Sequence, residues 1–276
     1  LMMPVYLLAG VGLWAWDRAK RSDAPNVCAE VWRAAVRVLP GAGLAYAIMA
    51  ATWPWSVLQP LNPLRALAFF SHHPIVIESQ IFGVRIASPE TPWYYIPGYL
   101  LVKLPELTLI LFAVGLVAMG YRIVAKPGVE RSQGSIVLMA ALVPILLFVI
   151  FRPTVFNGIR HFFFVVPPIT VIAAIAADDL WRLLSARGRP WVIGFAFVLA
   201  GFGSVQARTS VALHPDQYVY YNVVAGGIAG AEGRFEMDYW SNSIREAALL
   251  LTDRLRAETG GLRPARPYKI ALCSET

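Results

Sequence analysis

Long apolar runs alternate along this chain with short clusters of arginine and lysine. Six runs stand out: 1–16, 34–57, 104–120, 135–151, 162–177 and 191–206. Each approaches the roughly 20 residues that a helix needs to cross a hydrocarbon core. The pattern predicts six membrane-spanning helices. Trp53, Pro54 and Trp55 close the second run and suit an interfacial aromatic belt. Pro105 and Glu106 stand at the entry of the third, where a missing amide donor costs nothing. Pro144 predicts a kink in the fourth, and Pro167-Pro168 a bend or break in the fifth.

The connections differ in character. Residues 58–103 are too polar and too broken by proline to span. Within them, Pro63 to Phe70 reads as a short amphipathic helix lying in the interface. Gln80 to Ala87, with Gly83, reads as an extended, turn-like segment. Pro89, Pro92 and Pro97 then fix the path of the chain and display Trp93, Tyr94 and Tyr95.

Residues 207–276 form a soluble tail. Its glycines, Gly226, Gly227, Gly230 and Gly233, suit turns that let backbones pack closely. A phosphate-cradling loop would need a Gly-Lys-Ser/Thr, which is absent. Ser243 and Glu246 have capping-box spacing. The helix they open carries Ile244, Ala247, Ala248, Leu251 and Leu255 on one stripe, and Gly260-Gly261 can end it. Tyr268 to Leu272 alternates like a strand. The expectation is an all-α polytopic membrane protein. Residues 1–206 are its transmembrane region, with an extracytoplasmic loop at 58–103. Residues 207–276 are a small α/β extracytoplasmic tail domain, cut short at Thr276.

Composition sharpens this picture. The chain is 57% hydrophobic and only 15% charged, where a soluble domain carries about 25% charged residues. The net charge of +7 is therefore loop charge that sets topology, not a nucleic-acid signal. Loops 17–33, 121–134 and 178–190 hold ten arginines and lysines, and the opposite loops 58–103 and 152–160, longer only when taken together, hold five. The basic side is expected in the cytoplasm. The long loop, the Arg152–His161 turn and the tail then share the outer side. Cys28 and Cys273 fall on opposite sides, so no disulfide is expected. No cleavable signal peptide is visible. Leu1 opens inside an apolar stretch without a basic flank, which reads as a piece of a longer chain.

The candidate chemistry lies on that outer side. Arg152, Asn157, Arg160 and His161 stand between two apolar runs. Charge at the lip of a bilayer is costly unless it meets water, a partner or an anion. A guanidinium grips phosphate in a fork. The same residues could also serve as snorkelling interfacial anchors. Trp93, Tyr94 and Tyr95 could cover the apolar face of a sugar, or form an aromatic belt. His72 and His73 could contact a ligand, or end the interfacial helix. Glu78 and Glu90 could act as a base or hold a metal, or be solvated. Asp178-Asp179 reads as a helix-to-loop transition on the cytoplasmic side.

Several short motifs fall in a telling order. They are Asn62-Pro63-Leu64, Phe69-Phe70-Ser71-His72, Phe82-Gly83, Pro92 to Pro97 and Leu104-Pro105-Glu106. Asn157 to Phe162 with Pro167-Pro168 follows, and then Tyr220-Tyr221-Asn222, Gly226-Gly227, Gly230, Gly233 to Glu236 and Asp238-Tyr239-Trp240. In this order and spacing the chain resembles bacterial membrane glycosyltransferases of the protein O-mannosyltransferase-like superfamily over residues 62–246. The resemblance implies a GT-C fold, a polyprenyl-phosphate-linked sugar donor and an extracytoplasmic active site. It also implies a catalytic aspartate in a first outer loop, expected upstream of Leu1.

The expected function is thus inverting transfer of a sugar from a polyprenyl-phosphate carrier to an acceptor at the outer face of the inner membrane. Arg160, His161, Asn157 and Arg152 would hold the carrier phosphate. Trp93, Tyr94, Tyr95, His72, His73 and Glu78 would contact sugar or acceptor. A divalent metal is possible, since its use varies in that superfamily. Membrane lipids are the other expected partners. Two rivals stand beside this reading: a transporter or flippase of a lipid-linked substrate, and a non-catalytic membrane scaffold.

Overall fold

A computed structural model describes residues 27–59, 61–71, 76–125, 129–238, 240–260 and 268–269. The expected span at 1–16 lies outside the described residues, as do His72 and His73. The remaining five spans are present as helices long and apolar enough to cross a membrane. The first is α1 (Val27–Thr52), in which Ala35–Thr52 forms the apolar segment. It is followed by α2 (Trp55–Leu58) and α3 (Asn62–Ser71). A hairpin comes next, β1 (Glu78–Ile81) and β2 (Val84–Ala87), leading into α4 (Tyr95–Lys103). The other long helices are α5 (Glu106–Ala125), α6 (Val129–Phe151), α7 (Val166–Arg187) and α8 (Arg189–Ala212). Short α9 (Gly227–Ala231) and α10 (Ser243–Glu258) belong to the tail.

The long helices carry apolar side chains on both inner and outer faces. Val117 and Val124 on α5, Phe151 on α6 and Phe197 on α8 are all more than 70% exposed. Helix α8 buries no residue at all. In water such surfaces would be unstable, whereas in hydrocarbon they are ordinary. This is the architecture of a helical membrane protein. Helices α5 and α7 approach most closely at Gly115. A Cβ there would lie 2.6 Å from the Ile172 carbonyl oxygen. Small residues allow this backbone-to-backbone packing where hydrophobic attraction between helices is absent.

The prolines act as starts, not breaks. Pro167 and Pro168 occupy the first turn of α7, after a 3₁₀ turn over Arg160–Val165. The expected break in the fifth span is therefore a change of helix type at its entry. Helix α6 runs on through Pro144. Gly188, at φ +121°, turns α7 back into α8. Asp178 and Asp179 lie within α7, not in a loop. Asp178 pairs with Arg182 at 2.8 Å, and Asp179 with Arg122 of α5.

The expected extended segment at 80–87 is a true hairpin, registered Glu78↔Ala87 and Ile81↔Val84. Its two-residue loop puts both Phe82 (φ 51°) and Gly83 (φ 83°) in the left-handed region, the geometry that matches strand twist. Phenylalanine is rare there. It is held by the tail: Gly83 N donates to Arg234 O at 2.8 Å, and the Phe82 ring meets Phe235 edge-on at 5.3 Å.

The tail's main anchor is Asn222, which is 1% exposed. Helix α4 ends before Pro105 and leaves orphan carbonyls, as every helix C-terminus does. Asn222 Nδ2 donates to Leu101 O at 2.7 Å and to Leu104 O at 2.8 Å, and its backbone N–H donates to Val102 O at 2.9 Å. One residue thus caps a helix 120 positions away in sequence. Val223 N reinforces the joint by donating to Glu106 Oε1 at 2.7 Å. Behind it, Gly226 and Gly230 stack: a Cβ on Gly230 would lie 2.4 Å from Ala225 O, so glycine is required.

The start of α10 departs from expectation. The Ser243/Glu246 box does not form, and Asn242 at the N-cap makes no side-chain cap bond. Asp238 caps the helix from outside it, accepting from Ser243 N at 2.9 Å and Asn242 N at 3.0 Å. The strand expected over 268–272 lies largely outside the described residues, and none of the described tail residues forms a strand.

Asn222→Leu should lower the stability of the joint by about 1–3 kcal/mol, the cost of a buried carbonyl left without a donor. The measurement is the unfolding temperature of the purified chain in detergent, with tryptic cleavage of the tail as a local readout. A variant as stable and as protease-resistant as the parent would show that the cap is dispensable.

Candidate functional site

The site is built on one face of α4. Tyr95, Tyr99 and Lys103 recur every four residues, which stacks them in a single row. Gly98 lets that helix lie against the hairpin, where a Cβ would come within 3.0 Å of Ile81 Cδ1. The row faces the tail at Glu236.

Three tyrosine hydroxyls grip this one glutamate. Tyr95 Oη donates to Glu236 Oε2 at 3.3 Å. Tyr99 Oη accepts from Glu236 N at 3.1 Å and donates to Gln80 O. Tyr221 Oη donates to Glu236 O at 2.5 Å. From the third side comes the Arg152–His161 turn: Gly158 N donates to Tyr95 Oη at 3.0 Å. Asn157 (φ 57°) and Gly158 (φ 66°) are both left-handed, which turns their N–H groups inward. Burial pushes the Glu236 carboxyl above the usual carboxylate range. The Ser79 and Tyr95 hydroxyls and the Gly158 and Asn157 amides pull it only partly back. Ser79 Oγ influences that carboxylate without reaching hydrogen-bond geometry, and it is buried with no partner. Burial and then the Glu236 charge raise the Tyr95 and Tyr99 hydroxyls above their ordinary values.

Lys103 stands at the end of the row. Its Nζ donates to Tyr218 O at 2.9 Å and lies 3.5 Å from the centre of the Tyr221 ring. Burial lowers its pKa to about 7, with the Glu236 charge opposing the fall. Between Lys103 and Glu236 is a cavity of about 110 Å³, walled also by Tyr99, Gly158, Phe163 and Tyr218. Asp238 lies behind Tyr218 and accepts its hydroxyl proton. Burial alone would raise its pKa. The Ser243 and Tyr218 hydroxyls and the Ser243 and Asn242 amides outweigh burial and hold it below the usual range.

Of the residues expected to act, Asn157 joins this cluster through its backbone. Arg160 borders it, its guanidinium carbon 5.0 Å from the centre of the Phe156 ring and 4.8 Å from that of Trp240. Among the described residues no carboxylate lies within ion-pair distance of Arg160. His161 is exposed, edge-on to Phe156 at 4.8 Å. Arg152 is also exposed, at φ 45°, where it terminates α6. The aromatic strip divides. Trp93 is 52% exposed and meets Tyr94 edge-on at 5.8 Å, whereas Tyr95 is fully buried. Tyr95 is thus not a displayed platform; its ring is core and its hydroxyl belongs to the glutamate. Glu78 points outward from β1 and pairs with Arg85 at 3.8 Å, both largely exposed. Among the described residues no three His, Cys, Asp or Glu side chains gather as a metal site.

Glu236, Lys103, Tyr99 and Tyr221 were not singled out as site residues. Two signals pointed to them. One is the four-residue spacing of Tyr95, Tyr99 and Lys103; the other is an acidic residue set between Phe235 and Met237. No protein-family model, curated protein or solved structure matches the chain.

The lysine gives a pH prediction. Unfolded, Lys103 takes up a proton below about 10.4; folded, it does so only below about 7. Between those values the unfolded chain binds more protons, so this group adds stability as pH rises. Lys103→Met should therefore be favoured most near pH 7, and its advantage over the parent should shrink toward pH 10. Unfolding midpoints across that range test this, and a gap that does not vary with pH would deny the depressed value.

Proposed function

We propose that this chain is part of an integral inner-membrane glycosyltransferase of inverting type. It transfers a sugar from a polyprenyl-phosphate carrier to an acceptor hydroxyl on the extracytoplasmic side. The observation that carries the reading is the convergence of three segments at one end of the helical bundle. The Asn157–Arg160 turn, the Tyr95–Lys103 helix and the 217–238 tail surround one cavity there, an apolar lining with Lys103 and Glu236 set into it. The charge bias of the loops supports assigning that end to the outer side.

Arg160 supports a role at the carrier phosphate. Its charge is stacked between two rings and has no carboxylate partner among the described residues. Such a guanidinium can fork onto phosphate oxygens while the rings fix its plane. In transfer, the acceptor hydroxyl attacks the anomeric carbon and polyprenyl phosphate departs. Arg160 stabilises the charge that grows on the leaving phosphate. The resemblance assigns the base to an aspartate of a first outer loop, whose counterpart is not among the described residues.

The transporter reading calls for polar groups in the middle of broken helices. Residues 107–121, 133–151, 162–177 and 190–207 hold no charged residue. The polar chemistry of the described spans gathers at their ends, which favours a surface enzyme.

Arg160→Ala in the full-length enzyme should cut transfer at least roughly tenfold, the loss of about 1.4 kcal/mol of transition-state stabilisation, with membrane expression unchanged. Near-normal turnover removes Arg160 from the mechanism. For sidedness, alkaline phosphatase fused after Gly260 should be active in the periplasm, and fused after Arg187 inactive. The reverse pattern would place the cavity on the cytoplasmic side and end this proposal.

A further inference from the structure

The cavity between Lys103 and Glu236 has a composition that selects its occupant. One wall offers a nitrogen with N–H groups to spare: among the described residues Lys103 has a single hydrogen-bond acceptor, Tyr218 O, at 2.9 Å. The same lining includes Glu236, one of whose carboxylate oxygens is held by Tyr95. Phe163 supplies an apolar side, and Tyr218 lines another wall. A volume of about 110 Å³ has room for roughly four waters at about 30 Å³ each. That is too little for an isoprenoid chain and in scale with one edge of a single sugar ring. A phosphate or uronate here would gain Lys103 only against the Glu236 carboxylate, and an amino sugar would gain Glu236 only against Lys103. A hydroxyl both donates and accepts, so it satisfies both groups at once.

We infer that this cavity reads the hydroxyl edge of an uncharged sugar ring, with Lys103 and Glu236 as its specificity-determining residues. The inference rests on the glycosyl-transfer reading and deepens it. Gly158 and Ile159 of the Arg160 turn line the same cavity. The turn that would hold the carrier phosphate therefore walls the space for the sugar. A ring lying against Phe163 presents vicinal hydroxyls to Glu236, and Lys103 donates to the next oxygen. The surrounding tyrosines hold these two groups in place before any ligand arrives, which is how a site built for hydroxyls rejects ligands that lack them.

The test is equilibrium binding to the full chain in nanodiscs, using two probes: polyprenyl phosphate, and polyprenyl-phosphate-glucose as a neutral hexose. The parent should bind the sugar-bearing lipid roughly tenfold more tightly, the equivalent of one or two net hydrogen bonds. Glu236→Gln and Lys103→Met should each erase that advantage and leave affinity for bare polyprenyl phosphate unchanged. Lys103→Met leaves the Tyr218 carbonyl without its donor but adds no new polar group, and it decides the matter if Glu236→Gln fails to fold. An advantage that survives in the variants overturns the inference, as does an equal loss of both lipids, which a merely structural role would give. A parent that binds bare carrier without preferring the sugar overturns the sugar subsite alone. A parent that binds neither lipid overturns the glycosyl-transfer reading with it.

Discussion

A helix that stops at the membrane surface must dispose of its last carbonyls, and in this chain that need joins the two halves of the site. Helix α4 ends at Lys103 because Pro105 cannot continue the ladder. Among the described residues the carbonyls of Leu101, Val102 and Leu104 are met by Asn222. Water could solvate them if the joint were open. With Asn222 at 1% exposure it is closed, so the hydrogen bonds must come from protein. The chain just after residue 222 starts from this contact, and the hairpin tip holds it again at Gly233 and Arg234. Tyr221, one residue earlier, reaches Glu236 O, and the Gly226/Gly230 stack turns the chain back toward the hairpin tip. Without the cap, α4 would still be a helix, but Lys103 and Glu236 would be related only through the Tyr95 and Tyr99 hydroxyls.

The second constraint is electrostatic. Glu236 and Lys103 are both withdrawn from water, and burial drives each toward its neutral form. The Glu236 charge opposes the fall at Lys103 only in part, and hydrogen bonds oppose the rise at Glu236 only in part. A stabilising core would have used apolar residues here, since a buried charge pair seldom repays its desolvation. Three tyrosine hydroxyls hold Glu236, and two of them also tie in the hairpin and the Gly158 turn. Left-handed backbone at Asn157 and Gly158 adds further strain on the same spot, and asparagine and glycine are the residues that tolerate it best. Cost concentrated in one place is the mark of a functional site.

The spans were legible because a bilayer imposes length and polarity on a single local segment. No long-range contact is needed to see that 135–151 is a helix. The hairpin was half legible: Gly83 announced a turn, but its pairing needs Arg234 and Phe235 to hold Phe82 at positive φ. The site was read least well. Its members come from 79, 95–103, 157–163 and 217–238, and nothing local states that these meet. Tyr95 was read for its exposed neighbours, Trp93 and Tyr94, when its partners lie at 158 and 236. The capping of α10 failed for a related reason. Ser-x-x-Glu is a local rule, and a better acceptor, Asp238, waited five residues upstream with two amides and two hydroxyls to collect.

These contacts also redraw the division of the chain. By composition the boundary falls at 206, where apolar character ends. By packing it falls near 240. Residues 217–238 are woven into the α4 hairpin unit through Asn222, Tyr221, Phe235 and Glu236, and all four meet α4 directly. Helix α10, by contrast, buries none of its residues and is tied on chiefly through Asp238. Asp238 and Trp240 therefore sit at a joint: Asp238 anchors the helix that follows, and Trp240 covers the Arg160 guanidinium. The part of the tail that looks most like a separate domain thus adjoins Trp240, which covers the guanidinium, while the part that looks like a linker is the wall of the cavity.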